Sequence, residues 1–255
     1  MRLLVINPNT TQAMTDAIGD AARAVAASGT EIDAVTPDWG PASIEGHAEE
    51  VLASAAVLDV VAQRGAAYDG IAIACYGDPG LYAAREIAPV PVVGIAEASM
   101  LLASTVAHRF SVVTVLDRIV PMLEDVVGRY GLRDRCASVR GTSLAVLEIE
   151  RDPAAAAREV LAQARRAVAE DGAEAICLGC AGMAVLECTV RDELEDVPVI
   201  DGVAAAVKTL EATVGLGLRT SRRAAFMRPG PKELKGGEPF LEHLRTAFPA
   251  PVAGA

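Results

Sequence analysis

Short runs of β-branched and apolar residues alternate along the chain with longer Ala-rich stretches whose apolar positions recur at helical spacing. The runs predict strands over Leu3–Asn7, Glu31–Val35, Gly70–Ala74, Val90–Val93, Phe110–Val115, Ala137–Arg140, Ala175–Leu178 and Val197–Ile200. The stretches predict helices over Thr11–Ala27, Ala48–Arg64, Leu81–Ile87, Ala96–Ala107, Ile119–Tyr130, Pro153–Glu170, Met183–Leu194 and Val203–Val214. Such alternation builds parallel sheets, because each parallel connection must carry the chain back across the sheet, usually as a helix. From about Thr220 the pattern gives way to Pro, Gly and basic residues, with one short helical stretch around Pro239–Thr246. That tail reads as a peripheral extension.

The pattern also repeats. Asp69-Gly-Ile-Ala-Ile-Ala-Cys75-Tyr-Gly77 aligns with Glu174-Ala-Ile-Cys-Leu-Gly-Cys180-Ala-Gly182, each an acid, an apolar strand, a cysteine, one residue and a glycine. Val90-Pro-Val-Val93 matches Val197-Pro-Val-Ile200, and Leu4–Asn9 pairs more loosely with Val112–Asp117. All three pairs keep their order. Generic likeness between βα units accounts for the looser pairs but poorly for the matched cysteines. The fold expected is therefore α/β, with two similar Rossmann-like lobes of parallel sheet related by a pseudo-twofold axis and a cleft between them. The first lobe is expected over residues 1–97 plus about 200–222, the second over 98–199, and the extension over 223–255.

Composition narrows the function. A net charge of −11 without any Lys/Arg stripe argues against nucleic acid, which requires a concentrated basic surface. No apolar segment approaches the roughly 20 residues that span a bilayer, and the first apolar run is too short for a signal peptide, so no membrane partner and a cytoplasmic location are expected. Five cysteines without a secretory signal read as thiols rather than a disulfide framework. The histidines His47, His108 and His243 have no metal-ligand spacing, and a structural zinc needs four ligands, so no metal and no other cofactor is expected. Compact apolar α/β chains commonly assemble, which predicts a homo-oligomer.

Reactive groups in open α/β sheets sit beyond the carboxyl ends of the strands, where Cys75 and Cys180 both fall. Each precedes a glycine-containing turn and a predicted helix start, Asp78-Pro79 in the first case and Met183 in the second. Backbone N–H groups there favour negative charge, which is expected to lower a thiol pKa from about 8.5 toward neutrality. The same donors suit an enolate oxygen, and Gly77 and Gly182 let a planar anion approach the backbone. Two thiols across one cleft suit racemisation at a carbon acid, which needs a base on one face and an acid on the other. Cys177 and Cys180 also form a Cys-x-x-Cys, leaving a redox or small-ligand module as a second class of reading, although Cys177 points back into the sheet; Cys136 and Cys188 read as structural. Asn7-Pro-Asn-Thr-Thr11 ends the first strand, with Asn9 or Thr10 as N-cap and with more polar groups than a cap requires, so substrate contact is expected there. Gly40-Pro-Ala-Ser-Ile-Glu-Gly46 is suited to a wall or lid.

Together these segments resemble the Asp/Glu/hydantoin racemase superfamily and, within it, the hydantoin/allantoin racemase branch. The carrying motifs are Ile6–Thr10, Gly40–Gly46, Ala74-Cys-Tyr-Gly-Asp-Pro-Gly-Leu81, Arg109–Thr114 and Leu178-Gly-Cys-Ala-Gly-Met183, spanning about residues 1–215. The resemblance implies a cofactor-independent enzyme in which Cys75 and Cys180 alternate as base and acid. It implies substrate contacts from Asn9, Thr10, Ile44 and the backbone after each cysteine, Tyr76-Gly77 and Ala181-Gly182. Amino-acid racemases of the superfamily usually place Asn-Thr or Thr-His after their cysteines, and arylmalonate decarboxylases typically keep only the second cysteine. The departure from both implies racemisation of a flat neutral ring, a 5-substituted hydantoin first and allantoin as the alternative, ahead of aspartate or glutamate.

Overall fold

The computed structural model describes residues 1–230, so the helical stretch expected around Pro239–Thr246 lies outside the described residues. Among them, β1 (Arg2–Ile6), β2 (Glu31–Val35), β3 (Gly70–Ile73) and β4 (Val92–Gly94) form one sheet in the order β2-β1-β3-β4. A second sheet, β6-β5-β7-β8, contains β5 (Phe110–Thr114), β6 (Cys136–Gly141), β7 (Ala175–Leu178) and β8 (Val199–Ile200). Every pairing is parallel. The two orders are the same, so the strands that lead into Cys75 and Cys180, β3 and β7, occupy equivalent interior places.

Those interior strands read as unbroken apolar runs because both of their faces are covered: β3, β5 and β7 are buried throughout. The edge strands β2 and β6 mix apolar and polar residues and are half-buried. Edge strand β6 is held by Arg140, whose Nε donates to Asp171 at 2.6 Å and whose Nη2 donates to Glu170 at 2.8 Å.

The helices are α1 (Gln12–Val25), α2 (His47–Arg64), α3 (Leu81–Ile87), α4 (Ile95–Val106), α5 (Val120–Arg129), α6 (Glu148–Arg151), α7 (Pro153–Asp171), α8 (Glu187–Asp192) and α9 (Gly202–Gly215). Helix α4 leaves the first sheet and packs on β7 of the second, whereas α9 leaves the second sheet and packs on β3 and β4 of the first. The two helices also pack on each other, and one apolar core runs from Leu3 and Val5 through Met100 and Val207 to Phe110 and Leu178. This exchange of helices joins the halves through buried apolar surface, which favours their adhesion.

Three local expectations are corrected. The helix expected over Met183–Leu194 is instead a 3₁₀ run over Ala181–Leu186 followed by α8. Its tight winding starts with Met183 N donating to the Cys180 carbonyl at 3.0 Å. Asp78-Pro79 does not open α3: Gly80 does, at φ 72°, and Asp78 faces another helix. The N-cap of α1 is Thr11, neither Asn9 nor Thr10; Asn9 Oδ1 instead accepts the Thr11 N–H at 2.9 Å.

Candidate active site

At the carboxyl ends of β3 and β7 lies a cavity with about 580 Å³ of space unoccupied by protein, its open mouth included. Cys75 and Cys180 both line it, one from each half. Each retains partial exposure at the wall.

Cys75 sits in a turn closed by Asp78 N donating to the Cys75 carbonyl at 2.9 Å. Asp78 adopts φ 48°, a conformation that asparagine and aspartate tolerate better than other non-glycine residues. Its buried carboxylate accepts from Ala96 N at 3.1 Å and Glu97 N at 2.9 Å, capping α4, and from the Tyr130 hydroxyl at 2.6 Å, reaching the end of α5 in the other half. A side chain at Gly94 would place its Cβ 2.2 Å from the Asp78 Cγ, so only glycine permits this cap. Burial raises the Asp78 carboxyl to about 7, against the lowering influence of the Tyr130 hydroxyl and the two backbone donors.

Cys180 is placed by Gly179, where a Cβ would lie 2.8 Å from Thr114 Cβ and 2.9 Å from the Val113 carbonyl. The strand end therefore lies close against β5, with Thr114 Oγ1 donating to the Gly179 carbonyl at 2.9 Å. Burial pushes the Cys75 thiol up to about 12, opposed by the Gly77 N–H, with further rises from Cys180, Asp78 and Glu50. Burial pushes the Cys180 thiol up to about 11, opposed by the N–H groups of Gly182 and Met183. The expected lowering toward neutrality is thus overturned in the open site. The donors are present, but desolvation outweighs them.

The remaining expected residues separate into two groups. Asn9, Ile44, Tyr76, Gly77 and Ala181 line the cavity. Asn9 is held by its own oxygen, which accepts from Asn7 Nδ2 at 2.9 Å, while its amide nitrogen faces only the Met14 sulfur, a weak acceptor, at 3.0 Å. The Tyr76 hydroxyl turns away into the core to Ser99 Oγ at 2.8 Å, so its backbone is what remains for the cavity. Thr10 and Gly182 do not line the wall: Thr10 N and Oγ1 both donate to the Pro41 carbonyl, fixing the 40–46 loop, and Gly182 faces the Cys180 sulfur. That loop is a wall, contributing Ile44 and Gly46, and Glu45 ties it to the other half by accepting from Val146 N at 3.0 Å. Cys177 is fully buried, with its sulfur directed at the Ser99 carbonyl at 3.8 Å. All five cysteines are free.

Several wall residues escaped sequence reasoning: Met14, Glu50, Val115, Ile119, Met122, Leu123 and Val146. Val115 carried a signal, because it directly follows β5 at the place equivalent to Asn7 in the repeat. The others come from helix faces and a loop whose approach is set only by the packing of the halves. The arrangement can hold a flat ligand between two thiols, with backbone donors at its edges and apolar side chains over its substituent. Among the described residues no three His, Cys, Asp or Glu side chains are grouped to hold a metal, and no helix is long and apolar enough to cross a membrane.

Comparison with known proteins gives the same direction. A model of the Asp/Glu/Hydantoin racemase family matches residues 3–210. A hydantoin racemase of Pseudomonas sp. (strain NS671) is 51% identical over 237 residues, covering 92% of this chain and 95% of its own. A hydantoin racemase of Rhizobium meliloti is 45% identical, covering 92% and 98%. Among solved structures, allantoin racemase from Klebsiella pneumoniae superimposes with a TM-score of 0.89 at 49% identity, covering 92% of this chain and 96% of that one. At 16% identity an arylmalonate decarboxylase, with a TM-score of 0.61 over 87% of this chain and 96% of that one, shares the fold alone.

Proposed function

The chain belongs to the Asp/Glu/hydantoin racemase family, and from that premise we propose that it racemises 5-substituted hydantoins without a cofactor, using Cys75 and Cys180 as opposed base and acid. The observation that carries the mechanism is that the two cysteines, at equivalent strand ends, line one cavity. One thiolate removes the C5 proton and becomes a thiol; the electron pair moves into the ring carbonyl as an enolate. The opposite thiol then delivers its proton to the other face of C5 and becomes the thiolate. The N–H groups that follow each cysteine stabilise the negative charge on sulfur or on the enolate oxygen.

The raised thiol pKa values fit this chemistry. A buried thiolate is scarce but strongly basic, and a carbon acid needs a strong base. Repulsion between the two sulfurs disfavours a doubly deprotonated pair, so loss of the first proton leaves one thiolate and one thiol, the working state. Racemisation therefore climbs with pH through the neutral and mildly alkaline range, since both thiols lie above it.

Asn9 and Ile44 contact the ring, and Thr10 acts through the loop it holds. A second reading, allantoin racemisation, is favoured by the solved allantoin racemases at 47–49% identity. The exchange of α4 and α9 supports a first lobe of residues 1–97 with about 200–222 and a second of 98–199. A cytoplasmic homo-oligomer completes the reading. The test is loss of optical rotation, in the presence of a chelator, for L- and D-hydantoins, allantoin, aspartate and glutamate. Racemisation confined to the ring substrates is expected; turnover of free amino acids alone overturns it.

A further inference from the structure

We propose that Glu50 selects the substrate's 5-substituent, favouring hydantoins whose substituent ends in N–H donors, such as a ureido group, over those ending in a carboxylate. The inference rests on the ring-racemase reading above and assigns a role to a residue that this reading leaves unused.

Glu50 supplies the one charged side chain of the cavity wall among the described residues. Around it the wall is built from Ile44, Val115, Ile119, Met122, Leu123 and Val146, none of which can pair with a substrate's polar group. The first turn of α2 holds it there, and its side chain keeps 20% exposure. A Cβ on Gly77 would lie 3.5 Å from its Oε1, so the carboxylate stands against the Cys75 turn at ordinary contact distance.

The carboxylate is also free. Among the described residues it accepts no hydrogen bond, and its one ion-pair contact is the exposed His47 at 3.8 Å. Its neighbour in the same wall differs: Glu45 is already engaged by the Val146 N–H. Burial raises the Glu50 carboxyl, against the lowering influence of the Arg129 and His47 charges, neither of which donates a hydrogen bond to it. A substituent bearing N–H groups supplies the missing donors in a low-dielectric place, where a charge-assisted hydrogen bond counts for about tenfold or more in binding. A second carboxylate there meets repulsion instead.

Because Glu50 also raises the Cys75 thiol, a single-substrate rate mixes the two effects, whereas a ratio between substrates cancels the shared thiol. The experiment measures kcat/KM for allantoin, 5-isopropylhydantoin and 5-(carboxymethyl)hydantoin with the full chain and with Glu50→Gln and Glu50→Asp. The wild type is expected to rank them ureido, alkyl, carboxyalkyl. In Glu50→Gln the ratio of ureido to carboxyalkyl substrate should fall at least tenfold, and Glu50→Asp, which keeps the charge on a shorter arm, should fall between. Thermal melting of both variants checks that they fold, and if Glu50→Gln does not, Glu50→Asp against wild type carries the comparison. A ratio that moves less than twofold in the folded variants overturns the role of Glu50 while leaving ring racemisation standing. Failure of the wild type to racemise any of the three hydantoins overturns the reading of the site, and this inference with it.

Discussion

The two halves of the molecule place a cysteine at the same strand position, but they support it differently. In the first half the Cys75 turn is closed by Asp78, whose carboxylate caps α4 and binds Tyr130 of the other half. In the second half the Cys180 carbonyl accepts from Met183, and α9 is capped by its own Asp201, with Ala204 N donating to Oδ1 at 2.7 Å. One backbone N–H stabilises charge on Cys75 and two stabilise it on Cys180. Topological equivalence thus brings two thiols to one cavity, while local hydrogen bonding makes them unequal. The extra donor on Cys180 predicts that it ionises first, and the Cys75 side is anchored across the interface between the halves.

The largest test of equivalence removes the thiols. Cys75→Ala and Cys180→Ala are each expected to lower racemisation at least a thousandfold in polarimetry, since general acid–base groups contribute about 10²–10⁴-fold and either loss stops the cycle. Cys177→Ala, a loss of packing in the core, should retain most of the rate. Equal damage from Cys177→Ala would break the comparison and restore the redox reading.

The two caps sharpen it next. Asp78→Asn turns an amide N–H₂ toward donors, and the buried mismatch costs about 1–3 kcal/mol, a fall in Tm of about 3–10 °C for a chain of this size. Asp201 has one buried carboxylate oxygen without a partner, so Asp201→Asn should cost less than about 3 °C. The sign with pH follows from the raised pKa of Asp78. The folded state holds its proton up to about 7 while the unfolded chain releases it near the ordinary 3.8, so stability falls as pH rises between those values. Asp78→Asn should flatten the decline of Tm between pH 5 and pH 7; an unchanged slope would remove Asp78 from the account.

The smallest effect is the inequality of the thiols themselves. At pH 8 and with the exposed Cys188 reacting first, iodoacetamide should reach Cys180 roughly threefold faster than Cys75. A difference of about one pKa unit changes thiolate population tenfold, and the lower intrinsic reactivity of the less basic thiolate offsets about half of that logarithm. Peptide mass spectrometry reads the order directly, and faster labelling of Cys75 would reverse the assignment.

Much of this was legible in the sequence. Continuous apolar runs identify β3, β5 and β7 because strands covered on both faces carry no alternation. The repeat around Cys75 and Cys180 pairs the two cysteines that line one cavity before any fold is known. What escaped is what tertiary packing decides. Asp78 caps a helix that starts 17 residues later, past an intervening helix, so no local pattern announces it. Glu50 looks like any acid in a helix's first turn until the second half closes over it. The thiol pKa went the other way because backbone donors can be inferred from a Gly-containing turn, whereas burial, the larger influence, is a property of the assembled cavity.

The central claim, one base on each face of the stereocentre, is tested most directly by deuterium exchange in the two single-cysteine variants. Each pure enantiomer of one hydantoin is incubated in deuterated water with Cys75→Ala or Cys180→Ala, and incorporation at C5 is followed by NMR. Each variant keeps one thiol and should exchange one enantiomer with retention, the two variants choosing opposite enantiomers. Exchange of the same enantiomer by both variants would place the two sulfurs on one face and contradict the account.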